Sequence, residues 1–387
     1  MNDFHSSGRP KVREILDWAV TEAGAPSLAV RIQDGDGVWF GSAGLADPLT
    51  GARRVPGEQL NVGSIAKGFT AATVLTLAAE GRLTLEDTVE HWLPGSMDDS
   101  PYDATKITIR QLLANTSGLF ATGMAKKFQR RVNIRSGFLK HRFDAWERQD
   151  VLRVALSEPP VGRPGERFFY SNGGFNFAAA IVEQVTGNTF ESEVDRAVVR
   201  PLGLAGTFAR DRCETGYRGR HPRLFSKVFL REGVQPEEVT PDNWQTKMED
   251  PALPPLDTTE CSNSWAFGAG DVVSTLDDVT SFLRAMITGD LLPAAQHADM
   301  WTTVPTTGAH WLADTRYGLG VYELRLANGV VLRGSSGAST GTMTLAMGTV
   351  DGSHLVTAHV ANDYSGFPIF DRLLAAEFGA GGLRLEG

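Results

Sequence analysis

Cysteine is almost missing from this chain: Cys213 and Cys261 are the only two among 387 residues. That is too few for a disulfide scaffold or a thiolate zinc cluster, so both read as reduced, partly buried thiols. No apolar run approaches the ~20 residues needed to cross a bilayer, so no membrane partner is expected. The opening MNDFHSSGRPKVREILDWAV has no basic stretch followed by an apolar one. No export signal is read there, and a cytoplasmic protein is expected. Positive charge is in deficit, with 37 Lys and Arg against 46 Asp and Glu and a net charge of −9. An acidic chain lacks the basic footprint that nucleic acid requires. The eight histidines are dispersed and form no H-E-x-x-H, so neither a metal nor another cofactor is expected. The G-x-S-x-G elbow of the α/β-hydrolases is missing as well.

What is present is the composition of an ordinary globular protein, 42% hydrophobic and 21% charged. The length allows two or three domains' worth of core. Pro10 to Ala23 has helical spacing, with Val12, Ile15, Leu16 and Val20 on one face. SLAVRIQDGDGVWFGSAGLA reads as two strands around a DGDG turn. Helices are predicted from Ser64 to about Gly81, within Ile107–Leu119, and over Phe175–Gly187 and Thr275–Gly289, most with a glycine stop. Residues 317–363 alternate short strands with NG and DG turns, the pattern of an antiparallel meander, and FPIFDRLLAAEFG closes the chain as a helix. Strands at both ends and helices between them predict an α+β fold, an antiparallel sheet flanked by terminal helices. Residues 1–80 and 270–387 would form a discontinuous sheet domain, and 81–269 a mainly helical one with insertions near 120–150 and 211–262.

The chemistry starts at NVGSIAKGF, where Ser64 stands three residues before Lys67. Residues so spaced on a helix share a face, so the hydroxyl and the amine can meet. Free lysine, pKa about 10.4, is a poor base at neutral pH; burial would have to lower it by about three units, or roughly 4 kcal/mol. Val62, Ile65, Ala66 and Phe69 provide apolar surroundings for that. A neutral lysine can then activate the serine for attack on a carbonyl. FFYSNGGFNF sets Tyr170 and Asn172 on a loop before a helix, a hydroxyl to relay protons and an amide to orient the lysine or the substrate. Read alone, the same residues are a helix cap. LRGSSGAST lies on a late strand, where glycine lets a substrate backbone approach an open edge.

The order G-S-x-x-K, Y-S-N, then a small-residue and glycine triplet resembles the superfamily of serine β-lactamases, DD-peptidases and esterases. GRLTLEDTVEHWLPG, ITIRQLLANTSGL, GERFFYSNGGFNFAAAIVEQVTG and GAGDVVSTLDDVTSFLRAMITG are similar to its connecting blocks. The resemblance implies a β-lactamase/transpeptidase-like fold with an acylated Ser64, Lys67 as its base and Tyr170 as general acid and base. It further implies substrate contacts from Asn172 and from Ser335, Ser336, Gly337 and Ala338, with the backbone N–H groups of Ser64 and Ala338 as oxyanion hole. The departure is Ser335, where the family's triplet usually begins with lysine or histidine. Arg333, two residues earlier, is either a substitute cation or a solvent-facing strand arginine. The basic run 126–143 is either a solvated helix face or, through Arg130, Arg131, Arg135 and Lys140, a lid for an anionic substrate. The expected activity is acyl transfer through acyl-Ser64, as an esterase or amidase, or as a biosynthetic transacylase. Its partners would be a small-molecule acyl donor and an amine or alcohol acceptor. The alternatives are a DD-carboxypeptidase, a β-lactamase, or an inactive homologue that binds a ligand in the same cleft.

Overall fold

The computed structural model describes residues 8–230, 233–240, 243, 246–247 and 253–386. Residues 1–7, part of the segment scanned for an export signal, lie outside the described residues. A nine-stranded, wholly antiparallel sheet joins the two ends of the chain. From one edge its strands run Ala52–Arg53, Gly37–Asp47, Ser27–Asp34, Leu355–Val360, Thr342–Thr349, Val331–Ser339, Tyr322–Arg325, Thr315–Tyr317 and Val304–Pro305. The interior strand Leu355–Val360 is buried along its whole length, since helices cover both faces of the sheet there.

One face carries the terminal helices. Val12, Ile15 and Leu16 of Pro10–Thr21 and Ile369, Phe370, Leu373 and Leu374 of Gly366–Phe378 pack with Leu28, Val30, Ile32, Val356 and Val360 of the sheet. The other face meets the helix Leu276–Thr288, capped by the Thr275 hydroxyl accepting from the Asp278 N–H. Beyond it, Ala66–Ala79 is buried continuously from Ala66 to Leu75, with small and apolar residues on every side of its first turns. It shares one core with the helices Ile109–Leu113 and Asn172–Thr186 and with Ala346 and Leu355 of the sheet.

The expected helices and strands appear with shifted ends. Ser64 lies not in the long helix but in a tight turn, Gly63–Ile65, that feeds it. That turn is held by a second, three-stranded sheet in which Leu60–Asn61 pairs with Val272–Ser274, which in turn pairs with Phe208–Ala209. Two segments read from sequence as insertions meet each other. Arg130 pairs with Glu237, Arg135 donates to the Pro254 carbonyl at 3.0 Å, and Arg142 to those of Asp257 and Glu260 at 3.0 and 2.6 Å. Arg131 pairs with Asp144 at 3.0 Å and covers the Trp146 ring. Arg130, Arg131, Arg135 and Arg142 thus meet acceptors of the chain itself, while Lys140 is exposed.

Candidate active site

Ser64 owes its place to two glycines. Gly63 has φ +54, a conformation that side chains resist, and a Cβ there would lie 2.7 Å from the Ala338 nitrogen. A Cβ on Gly337 would lie 2.6 Å from the Ser64 nitrogen and 2.0 Å from the Val62 oxygen. The turn and the strand Val331–Ser339 therefore touch backbone to backbone. This brings together the two predicted oxyanion-hole residues, Ser64 and Ala338, which lie far apart in the chain. Ladder pairing of Val331–Ser339 with Tyr322–Arg325 stops at Gly334, so residues 335–339 keep one edge unpaired beside the serine.

Lys67 is 1% exposed, and its amine has three partners: Ser64 Oγ at 3.0 Å, Asn172 Oδ1 at 2.7 Å and the Ala269 carbonyl at 2.9 Å. Asn172 Oδ1 and the Ala269 carbonyl only accept. A neutral amine has two hydrogens for them and one lone pair, which then faces the serine hydroxyl. Burial pushes this lysine well below its ordinary value, and only Asp271 pulls the other way. Asp271 itself is buried and pushed up to about 7, chiefly by desolvation.

The supports of this arrangement run through three successive carbonyls. Thr70 donates to Gly268 O at 2.6 Å, Asn176 to Phe267 O at 2.7 Å and Lys67 to Ala269 O. Two helices thereby fix the segment that receives the lysine. At the start of Asn172–Thr186, the cap is Ser171, whose hydroxyl accepts from the Gly173 N–H at 3.1 Å and donates to Phe120 O at 2.7 Å. The Asn172 amide is left free to meet the lysine. Asn115 holds the same loop, its Oδ1 accepting from the Ser171 N–H at 3.0 Å.

Burial pushes the Tyr170 phenol above its ordinary range, with the neighbouring Ser64 hydroxyl pulling the other way, so it is neutral at pH 7. Its ring lies 4.8 Å from the Lys67 amine and stacks on Trp311, centroids 4.1 Å apart. Ser64, Lys67, Tyr170 and Asn172 form one constellation. Ser336 points elsewhere, accepting from the Tyr322 hydroxyl at 2.9 Å. Ser335 lines an apolar recess with Ile65, Gly68, Phe282, Trp301 and Val321. Arg333 pairs with Glu323 at 3.0 Å and lies over Trp301, so its charge already has a carboxylate partner. Trp311, Ala269 and Asp271 were missed: Ala269 and Asp271 lie in the GAGDVVST block, where nothing local marks them as site residues, and Trp311 lies in a segment with no motif.

The profile of the Beta-lactamase family matches residues 12–368. A D-stereospecific amidohydrolase from Streptomyces sp. is 31% identical and superposes with a TM-score of 0.83, covering 96% of this chain and 98% of its own. The D-amino acid amidase of Ochrobactrum anthropi SV3, solved with D-phenylalanine, shares the fold at 21% identity and a TM-score of 0.76, covering 95% of this chain and 98% of its own. Protein flp of Staphylococcus aureus is 24% identical over 220 residues, 57% of this chain and 41% of that protein, so the chain spans less than half of that relative's length.

Proposed function

The chain belongs to the β-lactamase family, and on that premise we propose that it is a serine amidohydrolase working through an acyl-Ser64 intermediate. The carrying observation is the 3.0 Å contact between Ser64 Oγ and a buried Lys67 amine whose other two partners are neutral oxygens. Burial favours the neutral form of such an amine. Ser64 Oγ attacks the substrate carbonyl carbon as its proton passes to Lys67. The negative charge on the carbonyl oxygen is met by the Ser64 and Ala338 N–H groups. Tyr170, a neutral phenol, donates its proton to the departing nitrogen as the C–N bond breaks, and the Lys67 ammonium, 4.8 Å from the Tyr170 ring, returns the proton it took from Ser64 to the phenolate. Water then reverses the steps and releases the acid.

The likeness to the Streptomyces amidohydrolase supports amides of D-configured acyl groups as the substrate class. Ser335, in place of the family's cation, weighs against substrates recognised by a free carboxylate, hence against β-lactam and DD-carboxypeptidase activity. The same acyl-enzyme handed to an amine or alcohol would make the protein a transacylase. We place the activity in the cytoplasm, a reading supported by its free thiols, exposed Cys213 and buried Cys261.

The test is intact-protein mass after brief incubation with an activated ester of a D-amino acid, for wild type and Ser64→Ala. One acyl adduct on wild type alone is expected. Its decay in water, compared with added amine, separates hydrolysis from transfer. No adduct on either protein would overturn the reading.

A further inference from the structure

Three buried ionisable side chains stand behind the nucleophile and take no part in this chemistry. Arg54 and Glu58, 2% and 3% exposed, pair Nε to Oε2 at 2.6 Å, and His359 is wholly buried in the interior strand Leu355–Val360. A buried ion pair costs desolvation that apolar residues would avoid, so stability alone does not explain it. The direction of its hydrogen bonds does. A guanidinium only donates, so Arg54 Nη2, at 3.1 Å, donates to His359 Nδ1. Burial and the Arg54 charge keep the imidazole neutral, which leaves its proton on Nε2, 2.9 Å from Thr342 Oγ1. Thr342 accepts that proton's bond and donates its own hydrogen to the Asn61 carbonyl at 3.2 Å. Asn61 Oδ1 accepts in turn from the Gly63 N–H at 2.8 Å. With a donor-only group at one end and an acceptor-only carbonyl near the other, each bond has a single direction.

The chain ends where it matters. Asn61 leads into the turn that bears Ser64. Thr342 stands opposite Ser339 in the ladder, one residue from Ala338 in the hairpin that bears the second oxyanion donor. The Thr342–Asn61 bond ties these two segments together.

We propose that His359 and Thr342 are positioning residues: the relay from Arg54 through His359 and Thr342 to Asn61 sets the spacing of the Ser64 and Ala338 N–H groups and, through it, the rate of acylation. No proton moves along the relay. The inference rests on the acyl-Ser64 reading.

Its test is saturation kinetics of acylation by p-nitrophenyl acetate in wild type, Thr342→Val and Thr342→Ser, with intact mass locating the adduct. Valine keeps the shape and removes the hydroxyl. It should lower the limiting acylation rate by about tenfold or more, as loosening an oxyanion donor does, without changing the half-saturating concentration. Serine should restore most of that rate. A valine variant as fast as wild type, or a serine variant as slow as valine, overturns the inference while leaving the reading of Ser64 intact. Wild type that takes no acyl group fails that reading, and the inference with it. Should Thr342→Val not fold, ¹⁵N chemical shifts of the His359 ring in wild type decide: a proton on Nε2 supports the relay, and one on Nδ1 breaks it.

Discussion

Tyr170 lies flat against Trp311, with ring centroids 4.1 Å apart and planes inclined by 14°. The indole belongs to a loop that the C-terminal tail holds: the Glu386 N–H donates to Trp311 O at 2.7 Å, and Glu386 Oε2 accepts from the Gly308 and Ala309 N–H groups at 3.0 and 3.2 Å. The end of the chain thus reaches the phenol beside the nucleophile through one stacked pair.

Stacking of this kind contributes about 0.5–1.5 kcal/mol beyond buried area, and it fixes the plane in which the Tyr170 hydroxyl meets Ser64. Trp311→Ala is expected to reduce kcat/KM by about tenfold to a hundredfold, the range in which small misplacements act. Trp311→Phe should recover most of it. Steady-state kinetics on one amide substrate checks both, and an alanine variant at the wild-type rate would show that the phenol needs no such backing.

Tyr170 as the acid that protonates a departing nitrogen leads to a contrast between leaving groups. An amine must receive a proton to depart, whereas p-nitrophenolate leaves unaided. Tyr170→Phe should therefore slow amide cleavage by about 10²–10⁴-fold, the usual worth of a positioned acid, and p-nitrophenyl ester cleavage far less. Equal losses on the two substrates would assign the hydroxyl a role in binding or orientation instead.

The constellation was legible in the sequence to the extent that its signals were local. Ser64 and Lys67 stand three residues apart, and Tyr170 and Asn172 two apart, so short spacing was enough to mark them. What closes the site is long-range: Lys67 meets Asn172 across 105 positions and Ala269 across 202. No periodicity carries such a contact, and Ala269 acts through its carbonyl, which any residue would supply. A run of charge is silent about its partners for the same reason. The run 126–143 shows its arginines, but Glu237, the partner of Arg130, stands 107 residues away. Antiparallel order was readable from the NG and DG turns; the unpaired stretch after Gly334, which opens the edge beside Ser64, depends on how far a neighbouring strand extends.

Asp271 should set the acid limb of the pH profile. Lys67 acts only when neutral, so acylation is lost as pH falls through its folded-state pKa. Ionised Asp271 raises that pKa. Asp271→Asn removes the charge and leaves an oxygen for the Gly268 N–H, now 3.1 Å from Oδ1. Asp271 is ionised only near and above pH 7, so the part of the acid limb that lies there is expected to move to lower pH. Stability should respond too. Asp271, pushed up to about 7, binds its proton more tightly folded than unfolded, where its pKa is about 3.9. Between those values the folded state holds more protons, so stability falls as pH rises. The variant loses this dependence, and its Tm relative to wild type should improve from about pH 4 to about pH 7. An unmoved acid limb would separate Asp271 from the base.

Gly337 is the position where one methyl group should undo the site. Its Cβ would stand 2.0 Å from the Val62 oxygen and 2.6 Å from the Ser64 nitrogen, both backbone atoms that cannot swing aside. Gly337→Ala must push the strand bearing Ala338 away from the turn bearing Ser64, and the two oxyanion donors separate. Loss of one such donor costs about 10²–10³ in kcat, and the variant should fall within or beyond that range. Tm should drop as well, because the contact closes the core between the turn and the sheet. Gly35→Ala is the control, since a Cβ there meets nothing within 4 Å. Acylation rate and Tm measured on the pair distinguish a general intolerance of alanine from this contact. A Gly337→Ala protein that takes an acyl group at the wild-type rate would mean that the Ser64 and Ala338 N–H groups do not hold the oxyanion together.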